Sequence, residues 1–146
     1  LQLWVVGDFG GGREEYMEII EGEGIGENVR LVEGYIPDRD VEQYFAAADL
    51  VVLPYISATQ SGIAQIAYGF EKPVIVTDVG GLPDVVEDGK TGYVVESQNE
   101  AAIADAVMKF YENQSEIDWK QNIRNAAGEF SWETMVSRIE NLLLSN

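Results

Sequence analysis

The chain of 146 residues contains no cysteine and no histidine. Without Cys there is no disulfide framework and no thiolate metal site. Without His there is no imidazole acid or base, no Ser–His–Asp triad and no usual zinc site in this chain. Positive charge is scarce: nine Lys and Arg stand against 26 Asp and Glu, a net charge of −17. Such a surface repels nucleic acid and anionic lipid over a Debye length of about 8 Å at physiological salt. No nucleic-acid partner is expected. A small anionic ligand stays admissible, because amides at a helix N-terminus hold phosphate without a basic side chain. Long apolar runs are lacking too; none approaches the roughly 20 residues that cross a bilayer. No signal peptide is visible.

Apolar residues are nevertheless 46% of the chain, enough for the core of one ordinary domain. Short apolar runs alternate with amphipathic stretches. Strands are predicted over 3–6, 29–32, 50–54, 73–77 and 92–95. The runs at 50–54 and 73–77 are apolar throughout, as in strands buried on both faces. Helical spacing marks 13–23, 41–48, 61–70 and a short 82–87, followed without further strands by 100–112, about 116–127 and 131–144. Asp38 and Asp40, Asn99 and Ser131 stand where N-caps are wanted, and Gly24, Gly69 and Gly89 where helices stop or loops turn. This order predicts an α/β fold, a Rossmann-like three-layer α/β/α arrangement. It has a mostly parallel sheet of about five strands and extra C-terminal helices. One domain is the simplest account. The first residues, Leu1 to Gly7, read as a strand already under way, so a piece of a longer protein is expected.

In open α/β sheets, ligands sit outside the C-terminal ends of the strands. That nominates four loops: 7–12, 34–38, 55–62 and 78–82. The first, Gly7-Asp8-Phe9-Gly10-Gly11-Gly12, has G-x-x-G-G-G rather than the dinucleotide spacing G-x-G-x-x-G. It is either a flexible turn or a place where backbone approaches a ligand. The third loop runs from a strand into a helix starting near Ser61. The orphan amides there, with the helix dipole, favour an anion. A diphosphate fits the Ser61, Gly62 and Ile63 amides with the Thr59 and Ser61 hydroxyls; the plain alternative is an N-cap by Thr59 or Ser61. Gln65, one turn further on, is either a hydroxyl-binding amide or a solvated position. Asp49 is expected to cap the turn into the next strand, and Trp119 and Trp132 to pack in the core.

Taken in order, four strings resemble a known family. They are Ala46-Ala47-Ala48-Asp49-Leu50-Val51-Val52-Leu53-Pro54; Ser61-Gly62; Glu71-Lys72-Pro73-Val74-Ile75-Val76-Thr77-Asp78-Val79-Gly80-Gly81-Leu82-Pro83; and Asp88-Gly89-Lys90-Thr91-Gly92-Tyr93-Val94-Val95. Together they resemble the C-terminal domain of GT-B glycosyltransferases, closest to the retaining group (family 4) that includes sucrose and glycogen synthase relatives. Phe130-Ser131-Trp132-Glu133 is similar to that group's last helix. Each piece is weak alone; the ordered set is specific and spans nearly the whole chain.

The resemblance implies a single nucleotide-sugar-binding domain over 1–146, lacking the N-terminal acceptor domain and its own first strand. The full-length protein is then expected to be a glycosyltransferase, transferring a hexose from an NDP-sugar, with retention, to a glycan or lipid-linked acceptor. No cofactor and no metal are expected. The partners are the nucleotide-sugar donor and the N-terminal domain, with peripheral membrane contact through that missing domain. The expected setting is bacterial polysaccharide biosynthesis, cytoplasmic and membrane-associated in the full-length protein. Thr59, Gln60, Ser61, Gly62 and Ile63 are assigned to the diphosphate, Gln65 to ribose or sugar, and Gly7, Asp8, Gly34, Tyr35, Ile36 and Pro37 to the nucleobase. No catalytic residue is assigned, and the isolated domain is expected to be inactive.

Two departures matter. The family commonly carries two Glu seven residues apart around the 61–70 helix. The two available registers place Ala58 and Ile66, or positions near Thr59 and Ala67, where those Glu belong. Gln60 and Gln65 are the nearest polar substitutes. The family's diphosphate-binding Arg and Lys have no counterpart in this chain. An alternative of another class is therefore a catalytically inactive GT-B-like scaffold or regulatory domain in polysaccharide assembly. A GT-B epimerase needs carboxylates and His that are not found. A receiver domain needs more than the scattered Asp8 and Asp78.

Overall fold

The structure, a computed structural model, describes residues 1–129. The helix predicted over 131–144, its Ser131 cap and Trp132 lie outside the described residues. The chain divides into two compact units, Leu1–Gln43 and a second from Tyr44 onward.

The first unit contains β1 (Leu3–Gly7), α1 (Arg13–Gly22) and β2 (Val29–Glu33). β1 and β2 pair in parallel, with Leu3 opposite Val29 and Gly7 opposite Glu33. α2 (Asp38–Ala47) leads into the second unit and begins three residues before the expected Val41, its first turn carrying Asp38 and Asp40. Acidic side chains there complement the helix dipole. This unit has little interior: Ile20 is its one buried apolar side chain, while Leu3, Trp4 and Val6 of β1 are exposed.

The second unit contains β3 (Val51–Leu53), α3 (Gly62–Gly69), β4 (Val74–Thr77), β5 (Gly92–Val95), α4 (Glu100–Glu112) and α5 (Trp119–Glu129). Its sheet has the order β3-β4-β5, all parallel. The five expected strands are thus all present and all in parallel pairs, divided between two sheets. β4 is buried on both faces as predicted; β3 is only half-buried, because one of its edges has no strand beside it in this sheet. Alternation along β4 splits the core. Val74 and Val76 meet Ala64, Ala67 and Tyr68 of α3 and Ile123 of α5. Ile75 faces the other way, toward Tyr93, Ala106, Phe110 and Trp119. Helices on both faces of a parallel sheet make the three layers. Trp119 packs in the core as expected, edge-on to Tyr93 at 5.6 Å between ring centroids.

The 82–87 helix does not form. That segment is a run of turns, with the Leu82 amide donating to Val79 O and the Val85 amide to Leu82 O. Leu82 and Val86 are buried there, so turns satisfy the same apolar spacing a helix would. Gly69 is the last residue of α3, where a helix stop was expected, and the chain turns at Glu71, with φ +56°. Asn99 caps α4 as predicted, its Oδ1 accepting from the Ala102 amide at 2.9 Å.

Candidate functional site

Two pairs of loops follow the strands, one pair in each unit. In the first unit, Gly7 and Gly34 stand at the ends of neighbouring strands, and the Gly34 amide donates to Gly7 O at 2.9 Å. Gly7 has φ +144° and Gly34 φ +114°, so both corners favour glycine. Asp8 turns its carboxylate onto its own loop, Oδ1 accepting from the Gly10 amide at 2.9 Å. Tyr35 is 82% exposed, while Ile36 and Pro37 are half-buried. The six residues assigned to a nucleobase therefore lie at or just beyond two adjoining strand ends, and the Tyr35 ring stands in solvent.

In the second unit the 55–62 loop is held from three sides. Thr77 Oγ1, at the end of β4, donates to Tyr55 O at 2.6 Å, and Ser97 Oγ donates to the same oxygen at 3.3 Å. The Gly81 amide donates to Thr59 O at 2.9 Å. Gly80 lies so close that a Cβ there would sit 1.7 Å from Ala58 O. The nominated loops 55–62 and 78–82 are thus one packed assembly. Thr77 and Ser97 were missed by sequence reasoning. Thr77 read only as the end of an apolar strand, and Ser97 carried no signal.

Ser61 is the N-cap of α3. It is extended, with φ −131° and ψ 118°, and its Oγ accepts from the Ile63 amide at 3.2 Å. This qualifies the expected anion cradle. The Ile63 amide is engaged by the cap, whereas Gly62, the first helical residue, has no intrahelical acceptor by its position. Ser61 is buried; Thr59, Gln60, Gly62, Ile63 and Gln65 are exposed. Gln65 therefore lies on the outer side of α3, opposite Ala64, Ala67 and Tyr68 in the core. Ala67 is fully buried and Ile66 is 39% exposed, so only the Ala58/Ile66 register puts its second position at the surface. Asp49, expected to cap a turn, acts instead on Tyr111. Burial and then the Asp49 carboxylate raise the Tyr111 hydroxyl above its usual value. No described helix is long and apolar enough to cross a membrane.

A parallel sheet with helices on both faces and glycine-rich loops at the ends of its strands defines the class of Rossmann-like α/β proteins. Within that class the chain belongs to the glycosyl transferases group 1 family, whose model matches residues 1–113. Its relatives include the D-inositol 3-phosphate glycosyltransferase of Corynebacterium diphtheriae, 30% identical over 88% of this chain and 30% of that protein. Another, D-inositol 3-phosphate glycosyltransferase 1 of Catenulispora acidiphila, is 32% identical over 80% of this chain and 28% of that protein. The chain thus spans about three tenths of the length of these relatives. Among solved structures, HepE from Anabaena in complex with UDP aligns over all of this chain and 41% of its own, with TM-score 0.81 and 23% identity. Sucrose-phosphate synthase from Thermosynechococcus elongatus aligns over 99% and 38%, with TM-score 0.75 and 25% identity. The likeness to HepE establishes a shared GT-B fold.

Proposed function

We propose that this chain is the donor-binding part of a retaining glycosyltransferase that moves a hexose from a nucleoside diphosphate sugar to a glycan or lipid-linked acceptor. The setting we propose is the cytoplasmic side of a bacterial envelope, with an N-terminal domain of the same protein supplying the acceptor site. The carrying observation is the Ser61-capped N-terminus of α3, held at a strand end by Thr77, Gly80 and Gly81. UDP in the crystal structure of HepE supports a nucleotide donor, as does UDP-glucose bound to the same protein.

Breaking the sugar–phosphate bond leaves charge on the departing diphosphate. Amide dipoles preset at the end of a helix stabilise such charge without metal or imidazole. Gly62 offers its amide directly. Ile63 offers its own once the Ser61 hydroxyl turns from accepting its N–H to donating toward a phosphate oxygen. Gln65 and the exposed Thr59 and Gln60 complete the polar rim. Gln65 can both donate to and accept from a ribose or sugar hydroxyl, but carries no charge. Gly7, Asp8 and Gly34 to Pro37 are the proposed contacts of the base.

Calorimetric titration of the intact protein with UDP, ADP, GDP and their sugars tests this. One nucleotide family binds, and Ser61→Ala weakens it about ten- to a hundredfold, in line with one lost hydrogen bond to a charged group. Heat with none of these ligands at millimolar concentration defeats the proposal. A catalytically silent scaffold is the second reading, favoured by the lack of a carboxylate at Ala58, Thr59, Ile66 and Ala67. Transfer of labelled sugar by the intact protein rejects it.

A further inference from the structure

At the opposite end of the second sheet from the loops above lies another cleft, of about 390 Å³, open to solvent and floored by Pro73 and Phe110. Pro73 and Asp49 precede β4 and β3, so this cleft belongs to the N-terminal ends of the strands and shares no residue with the donor loops. Two of the chain's four lysines, Lys72 and Lys120, line it, with the carboxylates Asp49, Glu71 and Asp118 and the Gln114 amide. Trp119 completes the wall. It is only 6% exposed, and its indole Nε1 is the one buried side-chain nitrogen or oxygen among the described residues without a hydrogen-bond partner. An indole N–H can only donate, and leaving such a donor buried and unpaired is unfavourable.

We propose that this cleft is a second ligand site, for a neutral polyhydroxylated molecule of mono- to disaccharide size. The two lysines face three carboxylates, of which Glu71 is already paired with Arg124, so little local charge is left for an ion to neutralise, and a net charge of −17 disfavours anions at any distance. Hydroxyl groups both donate and accept, which suits a wall holding both kinds of partner. Lys72 donates one hydrogen bond to Ala46 O at 3.3 Å and has two further N–H groups; Asp118 Oδ1 accepts from the Gln121 amide at 3.0 Å, and a carboxylate has a second accepting oxygen. A small movement of the Trp119 ring brings its shielded Nε1 to the cleft, where a ligand hydroxyl oxygen accepts from it and removes the unpaired donor. The volume lies at the lower end of the range for small-molecule pockets.

The test is a titration of the intact protein, labelled at the indole nitrogens, with glucose and with maltose, followed in proton–nitrogen correlation spectra. Loss of a signal in Trp119→Phe identifies the Trp119 indole; should that variant fail to fold, selective relaxation of the most solvent-protected indole serves instead. Binding moves this signal saturably downfield with a dissociation constant of about 1–10 mM, and Lys120→Met with Asp49→Asn weakens it at least about threefold. The donor titration described above is unchanged in that double variant. No saturable shift at about 100 mM sugar overturns the proposal. So does an equal shift of every indole, or a shift produced by acetate or inorganic phosphate in place of the sugars.

Discussion

The Tyr68 hydroxyl lies 2.7 Å from Thr91 Oγ1 and 3.1 Å from Val85 O, and Thr91 Oγ1 in turn accepts from the Glu87 amide at 2.9 Å. Tyr68 and Thr91 are both buried, so one phenol ties α3 to the turns that replace the expected 82–87 helix. Burial raises this phenol above its usual value; the hydrogen bond to Thr91 partly offsets that, and Glu87 adds to it. A folded-state value above the unfolded one means the folded chain holds the proton more tightly. The associated stability is therefore present below about pH 10 and lost as pH rises past it. Tyr68→Phe is expected to cost about 1–2 kcal/mol at pH 8, from the two acceptors left behind. It should also flatten the fall in stability as pH rises past about 10, leaving the share due to Tyr111. Chemical unfolding across that range measures both; an unchanged alkaline slope in the variant contradicts the assignment. Glu71 runs the other way, held below the usual carboxylate range chiefly by the Arg124 hydrogen bond, but it is only half-buried. Its two contacts to Arg124, at 2.7 and 3.1 Å, orient the turn after α3 more than they stabilise it.

Between elements, the decisive contact is that of the 78–82 loop on the 55–62 loop. Gly80 has φ +55°, which an L side chain rarely adopts, and any Cβ would enter the Ala58 carbonyl. Gly80→Ala is expected to destabilise the second unit by about 2–4 kcal/mol, combining left-handed strain with a clash against backbone. It should also displace Ala58 and Thr59 and weaken nucleotide binding about tenfold or more. Gly89→Ala, also at positive φ but with nothing near its Cβ, serves as the comparison and should leave binding unaltered. Thermal melts and the calorimetric titration separate the two; equal losses of binding in both variants mean that the loop contact does not shape the site. Part of this was legible in the residues themselves. The small and glycine-rich loops were nominated from strand order, and Ser61 was named as a cap before its geometry was known. That Thr77 clamps Tyr55 O was not, because a hydroxyl ending an apolar strand reads the same whether it meets solvent or a carbonyl.

Across the chain, apolar burial is uneven. Apart from Ile20, every buried apolar side chain among the described residues belongs to the second unit. Local opening is easiest where few apolar contacts must be broken. Amides of β1 and β2 are expected to exchange with solvent at least about tenfold faster than those of β4, whose four residues are buried. Native-state hydrogen exchange reads this directly, and equal protection in the two sheets contradicts it. The strand and helix pattern was legible over most of the described chain, because hydrophobic period is a local property of neighbouring residues. The failures share a cause. The 82–87 turns carry Leu82 and Val86 at helical spacing, and β3 carries a fully apolar run although one edge lacks a strand in its sheet. In both, what lies alongside in space outweighs what lies alongside in sequence.

Composition and spacing were sufficient to exclude imidazole and thiolate chemistry within these residues, to order the strands and helices, and to point at the family, since each depends on residue identity and short-range period alone. How five strands divide between two sheets required folded coordinates. So did the packing of Gly80 under Ala58, the outward placement of Gln65 and the unpaired Trp119 indole beside a cleft of opposite charges. These arise from contacts between segments far apart in the chain, and no local pattern encodes which distant backbone will come within van der Waals reach.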